Sequence, residues 1–288
     1  MRSAVSVAGL FLLLPLAAQC ADESPAGQEL PLWELGVGAG ALHTPDYPSS
    51  SESRVRAIAL PTVVYRGDIW RLGDGQIAKA VAAENPRFEL SLSFDAAFDA
   101  SSDRNELRRG MPDLDFLFEA GPQLIWKAGD YEFEAGGRGE LELALQGRAV
   151  FSTDFKGVDH QGYVIEPMLH YRQRGLFSPQ LENRFTLRPV WADTDLHSYF
   201  YAVEPVFVTA QRPLYEASAG YFGTHFNWTA SWHANDNLVI FGGIHILSQH
   251  GSANRNSPLF EDNISVNYGI GFNWSIVQSR KTVVRNNR

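Results

Sequence analysis

Apart from Cys20, the 288-residue chain has no cysteine. That excludes a disulfide framework, thiolate catalysis and cysteine-ligated metal in everything that follows position 20. Long apolar runs are just as scarce. The one present, 4–18, follows Arg2, is interrupted by Pro15 and is shorter than the roughly 20 residues of a spanning helix. It has the form of a secretory signal peptide, expected over residues 1–20 with cleavage between 18 and 21. Gln19 stands where a lipoprotein signal would carry a small residue, which argues against lipidation of Cys20. Excess positive charge is also missing: the formal net charge is −9, which disfavours nucleic acid as a partner, since phosphate binding rests on Lys and Arg. The chain has neither a phosphate loop nor a dinucleotide-binding glycine fingerprint. Its 8 histidines lack zinc-ligand spacing, so no metal or cofactor is expected.

What the chain has in quantity is two-residue alternation. Between 131 and 146, Tyr131, Phe133, Ala135, Gly137, Gly139, Leu141, Leu143 and Leu145 share one face, while Glu132, Glu134, Arg138, Glu140, Glu142 and Gln146 share the other. This reads as one long strand with a lipid face and a water face. About 10 tilted residues suffice to cross the hydrocarbon as a strand of a closed barrel. The mean hydropathy of −0.19 is what such alternation produces.

The pattern recurs over 32–42, 87–99, 114–127, 163–172, 181–191 and 264–276. In 87–99, Phe88, Leu90, Leu92, Phe94, Ala96 and Phe98 oppose Glu89, Ser91, Ser93 and Asp95. In 114–127, Leu114, Phe116, Phe118, Ala120, Leu124 and Trp126 oppose Asp115, Glu119, Gln123 and Lys127. Tyr163 and Tyr171 share a face, and their separation corresponds to roughly 20 Å of height in a tilted strand, close to the apolar band of an outer membrane. Long gaps at 43–54, 99–113, 151–161 and 251–262 read as outer loops; short ones at 128–130, 174–179 and 233–237 read as inner turns. The stretch 67–86 holds either a small hairpin around Asp74 and Gly75 or an extended turn, and 193–214 reads as an outer loop with local strand character. The expected fold is all-β: a transmembrane antiparallel β-barrel of the outer membrane filling residues 21–288. Both chain ends on one side require an even strand count, which allows ten or twelve; twelve is favoured.

Inside such a barrel, Glu89, Asp115, Glu119, Glu132, Glu134, Glu140 and Glu142 would face Lys127, Arg138, Arg172, Arg184 and Arg188. Charges taken out of bulk water must be paired or hydrated. They form either a pairing network that stiffens the wall or a narrow polar pathway for small solutes. An enzyme needs a convergent constellation, and the only one near is His197 and Ser198 beside Asp193 and Asp195. Neighbours on an extended chain point oppositely, so a non-enzymatic protein is expected.

The last strand carries its own signal. Asn267, Gly269, Phe272 and Trp274 follow the pattern polar, any, Gly, any, any, aromatic, any, aromatic, which the outer-membrane assembly machinery reads on closing strands. The glycines permit close backbone approach and the aromatics anchor at the lipid interface. Beyond it runs a short basic tail with Arg280, Lys281, Arg285 and Arg288, read either as solvated or as a contact for an acidic partner.

Four segments resemble the MipA/OmpV family, the MltA-interacting protein family of outer-membrane proteins. They are LPTVVYRGD at 60–68, RRGMPDLDFLFEAGPQLIW at 108–126, HSYFYAVEP with QRPLYEASAGYFG across 197–223, and NSPLF at 256–260. The resemblance implies an outer-membrane barrel, in contact with lipid, that acts as a scaffold joining a lytic transglycosylase to a murein synthase. A small-solute channel and an adhesin are the alternatives.

Overall fold

Alternating residues close into a barrel only if the first and last strands of the wall pair, and in the computed structural model of this protein they do. Residues 29–73, 77–97, 102–134 and 136–284 are described. The signal-peptide expectation, Phe98, Asp74, Gly75, Arg285 and Arg288 fall outside them. The wall consists of β2 (Trp33–Pro45), β3 (Ser53–Arg66), β4 (Trp70–Leu72), β5 (Ala78–Glu84), β6 (Phe88–Ala97) and β7 (Phe116–Glu132). It continues through β8 (Arg138–Thr153), β9 (Val158–Arg174), β10 (Leu181–Ala192), β11 (Gly220–Asn235), β12 (Leu238–Ser248) and β13 (Ile264–Gln278). Each is antiparallel to its neighbours, and β13 pairs with β2 from Tyr268↔His43 to Gln278↔Glu34, closing the twelve-stranded barrel. A separate two-stranded sheet joins β1 (Glu29–Pro31) to β14 (Thr282–Val284). The first and last described residues, Glu29 and Val284, therefore sit at the end of the barrel that carries the short turns, here the turn end; the opposite end is the loop end.

The two faces of the wall differ in chemistry as the alternation requires. On β13, Ile264, Val266, Tyr268, Ile270, Phe272, Trp274 and Ile276 are exposed, whereas Ser265 and Ser275 are buried. On β6, Phe88, Leu90 and Leu92 face out and Glu89, Ser91 and Ser93 are buried. Tyr163, Ile165 and Leu169 on β9 continue the outer apolar belt. A belt of this kind with polar groups inside is stable only against lipid, and closure satisfies the backbone that lipid cannot. Where strands crowd, glycine is required: a Cβ at Gly121 would stand 2.0 Å from the Gly147 carbonyl oxygen.

Several expectations need correction. The run from 131 to 146 is not one strand: Tyr131 and Glu132 end β7, the chain reverses at Gly136 and Gly137, and Arg138 opens β8. Gly136 and Gly137, both at φ 91, supply the left-handed backbone that reverses the chain, and alternation simply resumes after it. The supposed inner turn at 128–130 accordingly lies within β7. The supposed long loop at 151–161 is a turn over 154–157, since β8 runs to Thr153 and β9 starts at Val158. Leu114 does not face lipid; it precedes β7 and is 3% exposed in the core. The stretch 193–214 lies in an outer loop as expected, but it begins with a helix, α1 (Thr194–Tyr201), and its strand character is confined to the bridge Val203↔Tyr215. In 67–86 the hairpin alternative holds, as β4 and β5.

Candidate functional site: the lumen and its loop plug

The plug is built from α1. Asp193 caps it, accepting from Leu196 N at 3.1 Å through Oδ1 and from Tyr163 N at 3.0 Å through Oδ2. Such a cap satisfies helix-end donors that have no partner inside the helix. The helix then lays Leu196, Phe200 and Tyr201 against Leu117, Val150, Val164, Val190, Phe222 and Leu247 from the wall, forming the hydrophobic core at the loop end. Each such apolar side chain gains about 1.5–3 kcal/mol on burial.

Polar side chains pin the plug through backbone carbonyls. Arg108 donates to Phe200 O at 3.2 Å and lies over the Tyr47 ring at 5.7 Å. Arg212 donates to Leu107 O at 2.5 Å, Gln249 to the Tyr201 hydroxyl at 2.6 Å, and Ser257 to Tyr201 O at 2.7 Å. Tyr47 donates to Leu259 O at 2.7 Å. Burial pushes both the Tyr47 and Tyr201 phenols well above the ordinary value of 10.0, so both remain donors. His197 is fully buried, its Nε2 3.3 Å from Gly220 O and its ring beside Tyr201 and Phe222. Burial lowers its pKa below 6.5, the Gly220 carbonyl opposing the shift. These contacts make His197 a packing residue of the plug. Arg108, Leu114, His197, Tyr201, Arg212, Ser257 and Leu259, drawn from three of the four resembling segments, thus meet in one place.

Below the plug, ion pairs line the β6 to β10 side of the lumen. Arg148, its side chain 3% exposed, reaches Asp95 at 3.3 Å, Glu119 at 3.0 Å and Glu166 at 2.7 Å. Arg188 adds contacts to Asp95 at 3.7 Å and Glu166 at 3.5 Å. Gln123 donates to Gln146 at 3.2 Å, and Gln146 donates to Glu166. A second group pairs Glu89 with Lys79 at 3.0 Å and Arg71 at 3.3 Å, and Glu84 with Arg71 at 2.6 Å and Lys127 at 2.8 Å. Nearer the turn end, Arg172 pairs with Glu140, Arg184 with Glu182 at 3.2 Å, and Arg66 with Glu34 at 2.6 Å.

The expected lumen residues are therefore distributed unevenly. Glu89, Glu119, Glu140, Arg172, Arg184 and Arg188 belong to these networks, and Glu142 lines the same lumen. Arg138 starts β8 at the rim. Glu132 ends β7 exposed and Glu134 is exposed in the turn, so neither is enclosed by the lumen. Asp115 lies just before β7, its carbonyl accepting from the Tyr199 hydroxyl at 3.2 Å. Asn267, Gly269, Phe272 and Trp274 lie on β13, with Asn267 inside and the two aromatics outside. Sequence reasoning missed Arg148, Lys79, Arg71 and Arg66. Arg148 had a signal: it continues the inward parity of Glu140, Glu142 and Gln146.

Two cavities remain. One of roughly 290 Å³ lies under the plug; a second of roughly 120 Å³ extends toward the turn end, and both are lined by Asp95, Arg188 and Asn227. Facing the first, His245 receives a hydrogen bond from the Asn267 amide at 2.9 Å and stands 2.7 Å from His225, the two imidazoles stacked. Among the described residues no group of three His, Cys, Asp or Glu side chains is arranged to hold a metal ion.

No curated protein matches the chain. Among solved structures, an outer membrane channel from Pseudomonas putida F1 is similar at 12% identity and a TM-score of 0.37, covering 88% of this chain and 100% of its own. The CymD monoaromatic hydrocarbon channel aligns at 12% identity and 0.33, over 96% and 95% of the two chains. Pseudomonas putida OprB aligns at 9% and 0.34, over 85% and 94%. Likenesses this distant add nothing to the barrel described above. A family model does match, over residues 37–276, nearly the entire barrel. The chain belongs to the family described as MltA-interacting protein MipA.

Proposed function

We propose that this protein is a non-enzymatic barrel of the outer membrane that works through its ends, as a scaffold for murein-processing enzymes. The observation that carries this reading is the plugged loop end: α1 buries Leu196, Phe200 and Tyr201 there, and below it ion pairs from Arg148 and Arg188 to Asp95, Glu119 and Glu166 occupy the β6 to β10 side of the interior. A barrel so filled offers its rims to partners. With both chain ends in the periplasm, the turn end presents the β1–β14 sheet toward the cell wall. The family description names an interaction with MltA, and the partners in view are accordingly a lytic transglycosylase and a murein synthase. Asn267, Gly269, Phe272 and Trp274 would serve the assembly machinery during insertion. Crosslinking in intact envelopes followed by affinity capture is expected to recover a murein hydrolase or synthase; repeated capture without either refutes the scaffold.

A second reading, a small-solute channel, draws on the two cavities that share Asp95, Arg188 and Asn227. Its test is conductance in a planar bilayer. Silence of the refolded protein across a range of voltages removes it.

A further inference from the structure

The inward residues change character in one step near the loop end. On β7, β9, β10 and β12 the inward position nearest the plug is apolar: Leu117, Val164, Val190 and Leu247, all buried. The next inward position, two residues along, is Glu119, Glu166, Arg188 and His245 respectively. Two residues of strand advance by roughly 6.6 Å, so on these four strands an apolar side chain sits directly above a polar one. The cavity of roughly 290 Å³ lies between them and the plug. A dry cavity of about 150 Å³ accepts benzene, so this one has room for an aromatic ring with a short substituent.

Charge decides what the substituent must be. Asp95, Glu119 and Glu166 are served by two guanidinium groups, Arg148 and Arg188. The histidines add no charge in this arrangement: the Asn267 amide donates to His245 Nδ1, leaving Nε2 to carry the proton toward His225 Nδ1, so each ring is neutral. Within this group three carboxyl groups face two guanidinium groups. Glu119 is held by Arg148 alone, its Oε2 3.0 Å from Arg148 Nη2, and that enclosed oxygen accepts no hydrogen bond. A buried carboxylate oxygen in that position calls for a donor, and a cationic donor satisfies both needs.

We propose that the chamber binds a small aromatic ammonium compound, its ring among Leu117, Val190 and Leu247 and its ammonium on Glu119. The proposal stands apart from the scaffold reading and survives its failure. The test is calorimetric titration of the refolded full barrel in detergent with three probes of one size: 2-phenylethylammonium, 2-phenylethanol and phenylacetate. The ammonium is expected to bind at least tenfold more tightly than the alcohol, and the carboxylate not to bind. Glu119→Gln should erase the preference for the ammonium while leaving the alcohol unchanged. Val190→Trp, which fills the apolar half, should abolish binding of all three. Heat-modifiable gel mobility verifies that each variant is folded; should Val190→Trp misfold, Leu247→Phe takes its place. Equal affinity for alcohol and ammonium, tighter binding of phenylacetate, or no heat from the ammonium on a folded barrel overturns the proposal. An ammonium preference that persists in Glu119→Gln overturns the assignment of the cation to that carboxylate.

Discussion

Replacing Arg148 with methionine should be among the most damaging single changes in the lumen. The side chain is 3% exposed and lies within 3.3 Å of Asp95, Glu119 and Glu166. Methionine matches much of its length but supplies no charge. Arg188 would then be left to serve Asp95 at 3.7 Å and Glu166 at 3.5 Å, and Glu119 would lose the guanidinium it now faces. Breaking a buried ion pair by removing one partner costs about 3–5 kcal/mol, because an uncompensated charge stays behind. Urea titration of the protein in lipid vesicles, followed by tryptophan fluorescence and gel mobility, reads the loss. The double variant Arg148→Met with Glu119→Gln removes one stranded carboxylate and should recover at least about 1 kcal/mol, since contacting residues couple. The exposed Lys156–Asp154 pair at 3.6 Å is the control, and Lys156→Met should leave the curve unmoved. A loss under about 1 kcal/mol for Arg148→Met, with no recovery in the double variant, would mean that water reaches these carboxylates and that the network is not enclosed.

Asp193→Ala removes the cap of α1 and should cost about 1 kcal/mol, seen as faster protease nicking within 193–219 while the barrel stays intact. Because burial holds His197 below 6.5 in the folded plug, the unfolded form binds more protons; stability is full above about 6.5 and declines as pH falls below it. Protection factors in α1, taken relative to the intrinsic exchange rate at each pH, should therefore fall between pH 7.5 and 5, and His197→Gln should flatten that dependence. Phe272→Asp places a charge on the lipid face, costing at most about 2–4 kcal/mol and less near the interface, and should lower the membrane yield more than deletion of 282–288 does. Normal yield of Phe272→Asp alongside loss of the deletion variant would reverse the assignment of the closing strand.

The wall was legible because strand periodicity is local: Phe88 to Asp95 or Ile264 to Ile276 announces its two faces without reference to any neighbour. What failed were the places where periodicity continues through a reversal. Nothing in the alternation separates Glu132 and Glu134 from Glu140 and Glu142, and only Gly136 and Gly137, at φ 91, mark the turn. The plug was hidden for a different reason. Asp193 followed by Thr194 and Asp195 is a helix-start signal, but α1 has eight residues, too few to show a helical period of their own. Pairings between strands that are not adjacent in the wall, such as Arg148 with Asp95, join β8 to β6 over β7, and no local pattern contains them.

The ion pairs also follow the architecture of the wall. β3 meets β4 only at Tyr65↔Leu72 and Arg66↔Arg71, although β2 accompanies β3 from Trp33↔Tyr65 to Pro45↔Ser53. A Cβ at Gly73 would lie 2.6 Å from Val63 O, so the Val63 carbonyl points toward the β4 side. Pro61 shares that orientation, and the N–H it lacks would have pointed where β4 does not extend. A proline inside a strand is tolerated on such an unpaired edge, as it is at bulges and strand starts. With the backbone ladder thin here, side chains take over the joining. Arg71 links β4 to β5 and β6 through Glu84 and Glu89 and donates to Gly67 O at 3.4 Å, whereas Arg66 ties β3 back to β1 and β2, donating to Pro31 O at 2.9 Å and pairing with Glu34. Lys79 and Lys127 close the same group onto Glu89 and Glu84. The charges around the β4–β5 hairpin thus do for the short strands what paired backbone does elsewhere, which is why the basic residues that sequence reading left unassigned concentrate there.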